Sequence, residues 1–533
     1  MFFGKSLMRK KTIKKKLRAI TALAAAVLML SACGKGTGGD PEASSEAEGS
    51  SNSAAEKTNV SAIEVETGHH FDYYWNDVSD IMAVYMKYPY MHLSGEDREA
   101  YSKLEKSVSG LMDERKETIT QAYSKAVRIY KEEAAADSEY SDTYEVSEKV
   151  TVRRSDTCAL SLLLDGYSDF GGAHGSPYVT GAVFDTQTGE KLALSDVVTD
   201  VKQLPTLTQE QLEKSGQADY LYEDLDLQDF FDKHLDTIQW VLDYNGITIY
   251  FNPYDIAPFA AGIIPVTISF ADHPEFFKEK YRAVPLGYGI ELPLDKTFYY
   301  DLDGDGKQDS LFISACTGEY EGNEPQLIRI NGLKYEENNG IFEIEPMLMH
   351  TQDGKNYLYI GQQYPDDFWV YSVYDVSKGT VEKVGTVSSE RHNVIDDLKD
   401  YHTRRVPTDP QSFVLDTYMQ MLGTGYGYAD YHVGADGLPV KDSDWYIIEN
   451  QVEFTMLKDL TVSLVSEDGE EKGKTKLKTG DKVTYYRTDG ESWADLKLPD
   501  GSIGRVKPVY QDGYRTIDGV DIEKIFDGIM FGG

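Results

Sequence analysis

Three observations in the sequence predict an α+β fold. Residues 72–134 have apolar residues at mixed spacings of three and four, with a break at Pro89, which is typical of helices. From about Tyr144 the apolar period changes to two, in segments rich in β-branched and aromatic residues. An acidic helical stretch, QEQLEKSG to DFFDKHLDTIQWVL, then interrupts the strands. This order predicts an N-terminal helix packed on an antiparallel sheet, followed by two smaller β regions.

Residues 1–32 have the composition of a signal peptide. Eight basic side chains and no acidic one precede the run AITALAAAVLML, which is too short to span a membrane as a stable helix. The stretch LSAC, Leu30–Cys33, resembles the lipobox of bacterial lipoproteins, which implies cleavage before Cys33 and lipidation of its thiol. An unprocessed membrane anchor is the alternative. Both interpretations place the rest of the chain outside the cytoplasm, and the first attaches it to the cell membrane by a lipid only.

The segment after the signal peptide, residues 33–60, is dominated by Gly, Ser, Ala and Glu and contains no aromatic residue. Such a composition predicts a disordered linker. The formal net charge is -37, and loss of residues 1–32 makes it eight units more negative. This charge argues against nucleic acid and anionic lipid headgroups as partners and favours a cationic protein. Acidity that serves only solubility is the alternative.

The remaining chain, roughly 470 residues, exceeds what one core usually covers, so we expect several domains. The composition shifts predict an α+β domain at 61–283, a β domain at 284–400, a helix and linker at 401–450, and a β domain with a tail at 451–533. In the third segment, QSFVLDTYMQML is the predicted short helix. Cys158 and Cys316 fall in different domains, and two small buried hydrophobic residues are favoured over a disulfide.

Residues 169–175, DFGGAHG, are predicted to form a bent connection between strands. Gly171 and Gly172 permit positive φ and close backbone approach, which places His174 near the rim. The other histidines do not supply the spacing of a zinc site, and GYSDFG does not match the serine hydrolase pattern GxSxG. The turn is therefore interpreted as structural or partner-contacting, with His174 as a contact residue and not a catalyst.

The segment YFNPYDIAPFAAG is predicted to form a rigid aromatic loop, because its two prolines fix φ and remove backbone donors. Rigid aromatic side chains are good binding anchors. The candidate contacts are Tyr250, Tyr254 and Phe259. Packing of these rings onto the loop's own sheet is the alternative for each of them.

These two segments also carry a family resemblance. GGAHG, then VFDTQTGEKLALSDVV, then DYNGITIYFNPYDIAPFAAGIIPVTISF resemble the extracellular domain of RsiV-type anti-sigma factors and PdaC-type peptidoglycan deacetylase accessory domains. The resemblance covers about residues 60–275 and implies a cell-envelope domain that, in the anti-sigma branch, binds lysozyme. Where that branch has a transmembrane segment and a cytoplasmic sigma-binding helix, this sequence predicts a lipoprotein anchor. The resemblance therefore does not extend to sigma-factor signalling.

Residues 297–309, TFYYDLDGDGKQD, resemble the calcium loops of EF-hands and integrin-type β repeats. Alternating carboxylates reach one hard cation while glycine lets the loop reverse. The predicted ligands are Asp301, Asp303, Asp305, Asp309 and the backbone carbonyl of Lys307. The flanks are strand-like, which predicts a calcium-binding β-hairpin with calcium as a structural clip. An acidic turn without an ion is the alternative.

The C-terminal region contains five short β runs separated by DG or TG turns. The order LKTGDKV, a strand with Trp493, and DGSIGRV resembles a bacterial SH3-like β-barrel over about residues 452–510. Such domains often bind cell-wall peptides. Trp493 is therefore a candidate partner-binding residue, with a core position as the alternative.

Together these features predict a lipid-anchored extracytoplasmic binding protein of the bacterial cell envelope. Its expected partner is a cationic, lysozyme-like wall hydrolase or peptidoglycan, and we expect no catalytic residues. A wall-modifying enzyme is one alternative, and it requires an acid/base pair in a cleft. A purely structural surface lipoprotein is the other.

Overall fold

The computed structural model describes residues 60–136, 140, 142–314, 326–337, 343–363, 369–388, 402–449, 452–511 and 513–531. These residues are mostly sheet with few helices, in a mixed α and β arrangement, as the sequence predicts. The signal peptide, the linker with Cys33, and Cys316 lie outside them, and Cys158 is a half-buried free thiol. Among the described residues, no helix is both long and apolar enough to cross a membrane.

The strands are numbered in chain order. They are β1 (Val65–Asn76), β2 (Ile81–Leu93), β3 (Tyr144–Ser155), β4 (Ala159–Asp169), β5 (Ser176–Asp185), β6 (Gln239–Leu242), β7 (Gly246–Phe251), β8 (Ile264–Ser269), β9 (Tyr288–Glu291), β10 (Thr297–Tyr300), β11 (Asp309–Ser314), β12 (Gln326–Ile330), β13 (Leu333–Glu337), β14 (Glu343–His350), β15 (Asn356–Gln363), β16 (Trp369–Asp375), β17 (Glu382–Ser388), β18 (His402–Arg405), β19 (Phe413–Met419), β20 (Gly425–Val433), β21 (Pro439–Lys441), β22 (Tyr446–Ile448), β23 (Glu453–Met456), β24 (Leu460–Val465), β25 (Glu471–Leu477), β26 (Lys482–Thr488), β27 (Ala494–Lys497), β28 (Ile503–Val506), β29 (Val509–Gln511), β30 (Tyr514–Ile517), β31 (Val520–Asp521) and β32 (Phe526–Asp527).

The α-helices are α1 (Asp97–Ala100), α2 (Ser102–Ala136), α3 (Leu194–Val197), α4 (Leu204–Lys214), α5 (Leu227–His234) and α6 (Glu279–Arg282). Short 3-10 turns occur at Val201–Gln203, Gln217–Tyr220, Phe259–Ala261, Pro274–Phe276 and Ile522–Lys524. The acidic stretch between the strands is helical up to His234, as predicted, and forms α4 and α5. Its predicted continuation to Leu242 is wrong, because Gln239–Leu242 is the strand β6.

The central element is a six-stranded sheet with the order β18-β1-β2-β3-β4-β5. Neighbouring strands are antiparallel except β2 and β3, which are parallel. A parallel pair needs a long crossover, and α1 and α2 provide it. The long helix α2 packs against β2 and β3 on one face of the sheet.

The prediction of a helix from residue 72 is wrong up to residue 93, because this part of the chain is the β1–β2 hairpin. The segment HHFDYYWN is aromatic and suits an extended backbone better than a helix. The turn that follows, with Asp80 at a φ of 55°, reverses the chain. The helix begins only at Asp97, after the glycine at 95.

The helix predicted within residues 411–422 is also wrong, because this segment contains β19. Phe413 and Leu415 are buried while Val414 is half-buried, so the apolar positions follow a strand period of two. β19 pairs with β20 over its whole length. In so short a segment, the spacing of the large residues was wrongly interpreted as helical.

A three-stranded sheet, β6-β7-β8, covers part of the other face of the six-stranded sheet, with α4 and α5 in the same core. A Cβ at Gly181 of β5 would lie 1.9 Å from the Trp240 carbonyl oxygen, so this glycine lets the two sheets approach closely. The Ser161 hydroxyl accepts a hydrogen bond from the Leu242 amide at 2.9 Å across the same interface.

Two consecutive arginines of β3, both fully buried, join the central sheet to the segments packed on it. A bulge between Val152 and Arg154 disturbs the alternation of β3 at this point. Arg153 donates to Asp243 Oδ1 at 2.9 Å and to the Glu291 carbonyl at 2.8 Å.

Arg154 makes a second set of buried bonds. It donates to Asp156 Oδ2 at 2.8 Å and to the carbonyls of Tyr281 and Ala283, both at 2.7 Å. The two guanidinium groups therefore connect β3 with the β6–β7 turn and with residues 281–291.

The remaining strands form four sheets. Their orders are β10-β11-β12-β13, β17-β16-β15-β14-β9, β29-β30-β31, and an eleven-stranded sheet with the path β19-β20-β22-β26-β27-β28-β24-β25, to which β21, β23 and β32 are attached. The expected five β runs are present as β24 to β28. Within the described residues, however, their hydrogen bonding does not close into the predicted SH3-like barrel, since β26 continues the sheet to β22.

The buried ion pair of Arg153 gives a stability prediction. Asp243→Ala leaves the Arg153 charge buried without its counter-charge, so we expect the free energy of unfolding to fall by about 3–5 kcal/mol. Lys233→Ala, which removes an ion pair exposed on α5, is the control and should cost less than about 1 kcal/mol. Urea unfolding of the full chain measures both. Equally small losses of unfolding free energy in the two variants would show that the buried pair of Arg153 and Asp243 does not stabilise the fold.

Candidate functional site

The loop after β7 is held in shape by its own backbone and by two polar side chains. The backbone amide of Asn252 donates to Asp255 Oδ2 at 2.8 Å, and the backbone amide of Tyr254 donates to the Ala257 carbonyl at 3.1 Å. Tyr254 has a φ of 75°, in the left-handed region that non-glycine residues rarely occupy. Burial raises the pKa of Asp255, although the bond from Asn252 opposes that shift.

Asn252 also joins this loop to β5. Its Oδ1 accepts from the Val179 amide at 2.8 Å, and its Nδ2 donates to the Val179 carbonyl at 3.2 Å. The Asn252 side chain thus bonds both the N–H and the C=O of Val179, as the backbone of a neighbouring strand would. The aromatic loop is thereby fixed beside the β4–β5 connection.

The β4–β5 connection contains the glycine-rich turn DFGGAHG, residues 169–175. Gly171 has a φ of 76°, and its amide donates to Asp169 Oδ1 at 2.9 Å. A Cβ at Gly171 would lie 2.7 Å from the Tyr144 ring, and one at Gly175 would lie 2.1 Å from the Tyr167 hydroxyl. Glycine is therefore required at both positions for space, and at Gly171 for conformation as well.

The turn and the loop meet through an aromatic contact. The exposed His174 ring stacks on Phe259, with ring centroids 3.8 Å apart and an angle of 22° between the planes. Phe259 lies 5.8 Å from the Tyr254 ring, which is 60% exposed. We call these three residues the His174 patch. Residues that lie 80 or more positions apart in the chain thus form one surface.

Tyr250 was a candidate contact residue, and the structure contradicts that prediction. Its side chain is only 2% exposed and packs with Leu163, Val179 and Val241. The reason is that every residue of β7 is buried, since the strand is central in its sheet and covered on both faces. Of the other candidates, Gly171 and Gly172 are exposed, and Trp493 is half-buried with the Arg505 guanidinium 3.6 Å from its ring centre.

Three of the predicted calcium ligands converge in the loop between β10 and β11. Asp301, Asp303 and Asp309 each offer a carboxylate oxygen, and these oxygens lie within 4.8 Å of one another. Positive φ values at Gly304 and Gly306 let the loop reverse, and the amides of both glycines donate to Asp301. The donor set is oxygen only, which fits calcium.

The predicted ligand Asp305 lies outside this group of carboxylates. Asp305 is exposed and its carboxylate pairs with Lys307 Nζ at 2.9 Å, so it does not join the three convergent carboxylates. Hydrogen bonds from Lys307 lower the pKa of Asp305. Asp309 is held by the Leu302 amide at 2.8 Å and by Asn331 Nδ2 at 2.5 Å.

A cavity of about 240 Å³ lies between α4, β8 and the acidic loop. Its polar lining includes Gln211, Ser215, Thr267 and Gln308, and Asp272 is the one carboxylate among its lining residues. A pair of carboxylates for general acid and base catalysis is therefore missing from this cavity.

Sequence reasoning missed a row of exposed aromatic residues on β1. Phe71, Tyr73 and Trp75 occupy alternate positions and are 41%, 51% and 44% exposed. Their period of two was the available signal. It was hidden because residues 72–93 were interpreted as a helix.

Comparison with known proteins finds that one segment of the chain matches a family model. The model of DUF3298, described as a protein of unknown function, matches residues 194–271. The match runs from α3 to the end of the β6-β7-β8 sheet, so it includes Tyr254 and Phe259 but not His174. No curated protein matches the chain.

Several solved structures are similar to parts of the chain. A DUF3298 family member from Bacteroides fragilis is 18% identical, with 42% of this chain and 94% of that chain covered and a TM-score of 0.32. A DUF3298 family protein from Pseudomonas aeruginosa is 15% identical, with 43% and 98% covered and a TM-score of 0.27. The peptidase lysostaphin from Staphylococcus simulans is 10% identical, with 45% and 86% covered and a TM-score of 0.14. TM-scores this low establish neither a shared overall fold nor a shared function.

The bonds of Asn252 give a prediction about the patch. Asn252→Ala removes both bonds to Val179, so the aromatic loop should loosen and the free energy of unfolding should fall by about 1–2 kcal/mol. Hydrogen exchange should become faster at the amides of Val179 and Tyr254. Gln228→Ala, which changes an exposed amide on α5, is the control. Unchanged exchange at Val179 in the Asn252 variant would show that the side chain does not hold the loop.

Proposed function

We propose that this protein is a lipid-anchored extracytoplasmic binding protein of the bacterial cell envelope that contacts a lysozyme-like wall hydrolase through the His174 patch. The supporting observation is the stacking of His174 on Phe259 at 3.8 Å beside the exposed Tyr254. Both segments that resemble the lysozyme-binding anti-sigma branch contribute to this patch. Peptidoglycan is the alternative partner, and Trp493 is then a second contact for wall peptides.

The surroundings of His174 support contact over catalysis. Its Nδ1 lies 2.9 Å from the Gly175 carbonyl oxygen, so one ring nitrogen is engaged with the backbone of its own turn. Within the described residues, the one group of side chains arranged to hold a metal is Asp301, Asp303 and Asp309, which does not include His174. An aromatic stack with one exposed face is a surface for docking and not a proton relay.

The charge of the chain supports a cationic partner. A formal net charge of -37 attracts a basic protein over several ångströms and repels other acidic molecules. Such steering raises the association rate and weakens as salt is added. The proposed anchor at Cys33 and the linker that follows it would hold this surface at the outer face of the membrane.

The His174 patch gives the test of this proposal. His174→Ala should raise the dissociation constant for lysozyme roughly tenfold, because the stacked pair at the centre of the contact is lost. The fold should be unchanged. His432→Ala, at another partly exposed histidine, is the control and should bind like the wild type. Calorimetric titration at about 0.05 M and about 0.3 M salt should also show weaker binding at the higher salt.

Two results would overturn this proposal. Absence of lysozyme binding by the wild-type chain at both salt concentrations removes lysozyme as a partner. Turnover of peptidoglycan that His174→Ala abolishes would make the histidine catalytic.

We further propose that Asp301, Asp303 and Asp309 hold a calcium ion as a structural clip between β10 and β11. Three carboxylate oxygens within 4.8 Å repel one another, and a divalent cation would remove that repulsion. Nothing in the cluster suggests a role for the ion beyond stability.

Calcium binding gives a thermal prediction. Because an ion that binds only the folded state stabilises it by mass action, millimolar calcium should raise the melting temperature by about 2–4 °C. Asp303→Asn should abolish the increase. Asp500→Asn, in an exposed Asp-Gly turn elsewhere, is the control and should retain it. A wild-type melting temperature that does not change across the calcium titration would show that calcium does not stabilise the β10–β11 loop.

A further inference from the structure

The exposed aromatic row on β1 forms a continuous stripe. The ring centroids of Phe71 and Tyr73 are 6.0 Å apart, and those of Tyr73 and Trp75 are 6.4 Å apart. We call these three residues the β1 stripe. Exposed apolar rings grouped in this way are unusual on a monomeric surface and mark interaction sites.

The β1 stripe lies on an open part of a sheet face. Residues that pair directly across strands share a face. The pairing therefore places Tyr73 in line with Tyr85, Glu145 and Asp169, and it places Phe71 in line with Lys87, Ser147, Tyr167 and Pro177. These two rows define the floor of the surface.

The rest of the same face is covered. Leu163 packs beneath the β6-β7-β8 sheet, Lys149 pairs with Glu345, and Asp165 pairs with Lys296. The covering segments therefore stop before the two rows that contain Tyr85 and Tyr167. The face is divided into a buried half and an open half.

The open half is continuous with the His174 patch. The Tyr167 hydroxyl lies against Gly175, the residue that follows His174. Burial and the nearby Asp169 raise the pKa of Tyr167. The β1 stripe, Tyr167 and the His174 patch thus form one surface that crosses the sheet.

Carboxylates surround the β1 stripe. Glu145 and Asp169 lie in its floor, and Asp77 and Asp80 are exposed at the hairpin turn. Lys87 is the lysine that faces Phe71 in the floor. The charge at this end of the sheet is therefore negative.

The stripe differs from the opposite face of the same hairpin in its cation contacts. There, Lys131 lies 4.5 Å from the ring centre of Tyr74, and Lys116 lies 5.7 Å from that of Tyr88. In the described part of the chain, no lysine or arginine lies over Phe71, Tyr73 or Trp75. Their ring faces are available to a cation from outside.

We propose that the open half of this sheet face is a docking surface for the arginine- and lysine-rich face of a cationic protein. Cationic side chains of the partner stack on the β1 stripe and pair with Glu145 and Asp169. The inference rests on the proposed function in one respect, since the same partner would continue onto the His174 patch. It adds a second contact region, on β1, and names the chemistry that this region recognises.

The test uses the full chain with two probes, lysozyme and a deca-arginine peptide. The double variant Tyr73→Ala with Trp75→Ala should raise the dissociation constants of both probes about tenfold, because two stacking faces are lost. Tyr510→Ala with Tyr514→Ala, at two exposed tyrosines of the C-terminal region, is the matched control and should bind like the wild type. Glu145→Gln, which leaves the rings in place, should weaken binding of both probes and flatten its salt dependence.

The outcomes separate this inference from the proposed function. Lysozyme binding that is weakened by His174→Ala but not by the stripe variant refutes the inference and leaves the proposed function standing. Deca-arginine binding that the stripe variant weakens, without any lysozyme binding, supports the inference and refutes lysozyme as the partner. Failure of both probes to bind the wild type refutes the inference. Binding of an uncharged chitohexaose at the stripe, with no cationic probe bound, would assign the surface to glycans and overturn it as well.

Discussion

The buried bonds of Arg153 and Arg154 are the constraint on which the rest of this surface depends. Two adjacent guanidinium groups with no solvent exposure must satisfy their charges and donors inside the protein. Arg154 does so on the neighbouring Asp156 and on two backbone carbonyls from residues 281–283. Arg153 does so in part, on Asp243 and the Glu291 carbonyl, while its Nη2 has no hydrogen-bond partner among the described residues. The packed segments are thereby held over one half of the central sheet, and the other half of that face is left open.

The open half is useful for binding because its border is rigid. Asn252 fixes the aromatic loop to β5 by two hydrogen bonds, and Gly175 lets the Tyr167 ring lie against the turn. His174, Phe259 and Tyr254 are therefore presented with little conformational freedom. Little ordering entropy is lost when a partner binds such side chains.

Much of the fold could be predicted from local patterns, and the errors have physical causes. The α+β class, the helices α2, α4 and α5, and the strands after Tyr144 followed from apolar period. The stacking of His174 on Phe259 is a tertiary contact that the sequence analysis did not predict. The β1–β2 hairpin was missed because large residues at several spacings fit both a helix and a strand. Tyr250 was misjudged because burial on both faces of β7 depends on which sheet covers it. The pairing of Asp305 with Lys307 was not foreseen, because the spacing of carboxylates in the loop does not reveal which of them pair with a lysine. These are tertiary effects that a single sequence does not encode locally.

The central claim is that one surface, running from the β1 stripe to the His174 patch, receives a cationic partner. Hydrogen exchange of the full chain, measured with and without saturating lysozyme, tests it directly because every peptide reports its own protection. The account predicts slower exchange in three segments together, residues 70–76, 169–175 and 252–262, and little change on α2, which covers the opposite face. Protection confined to residues 452–531, or to α2, would contradict it.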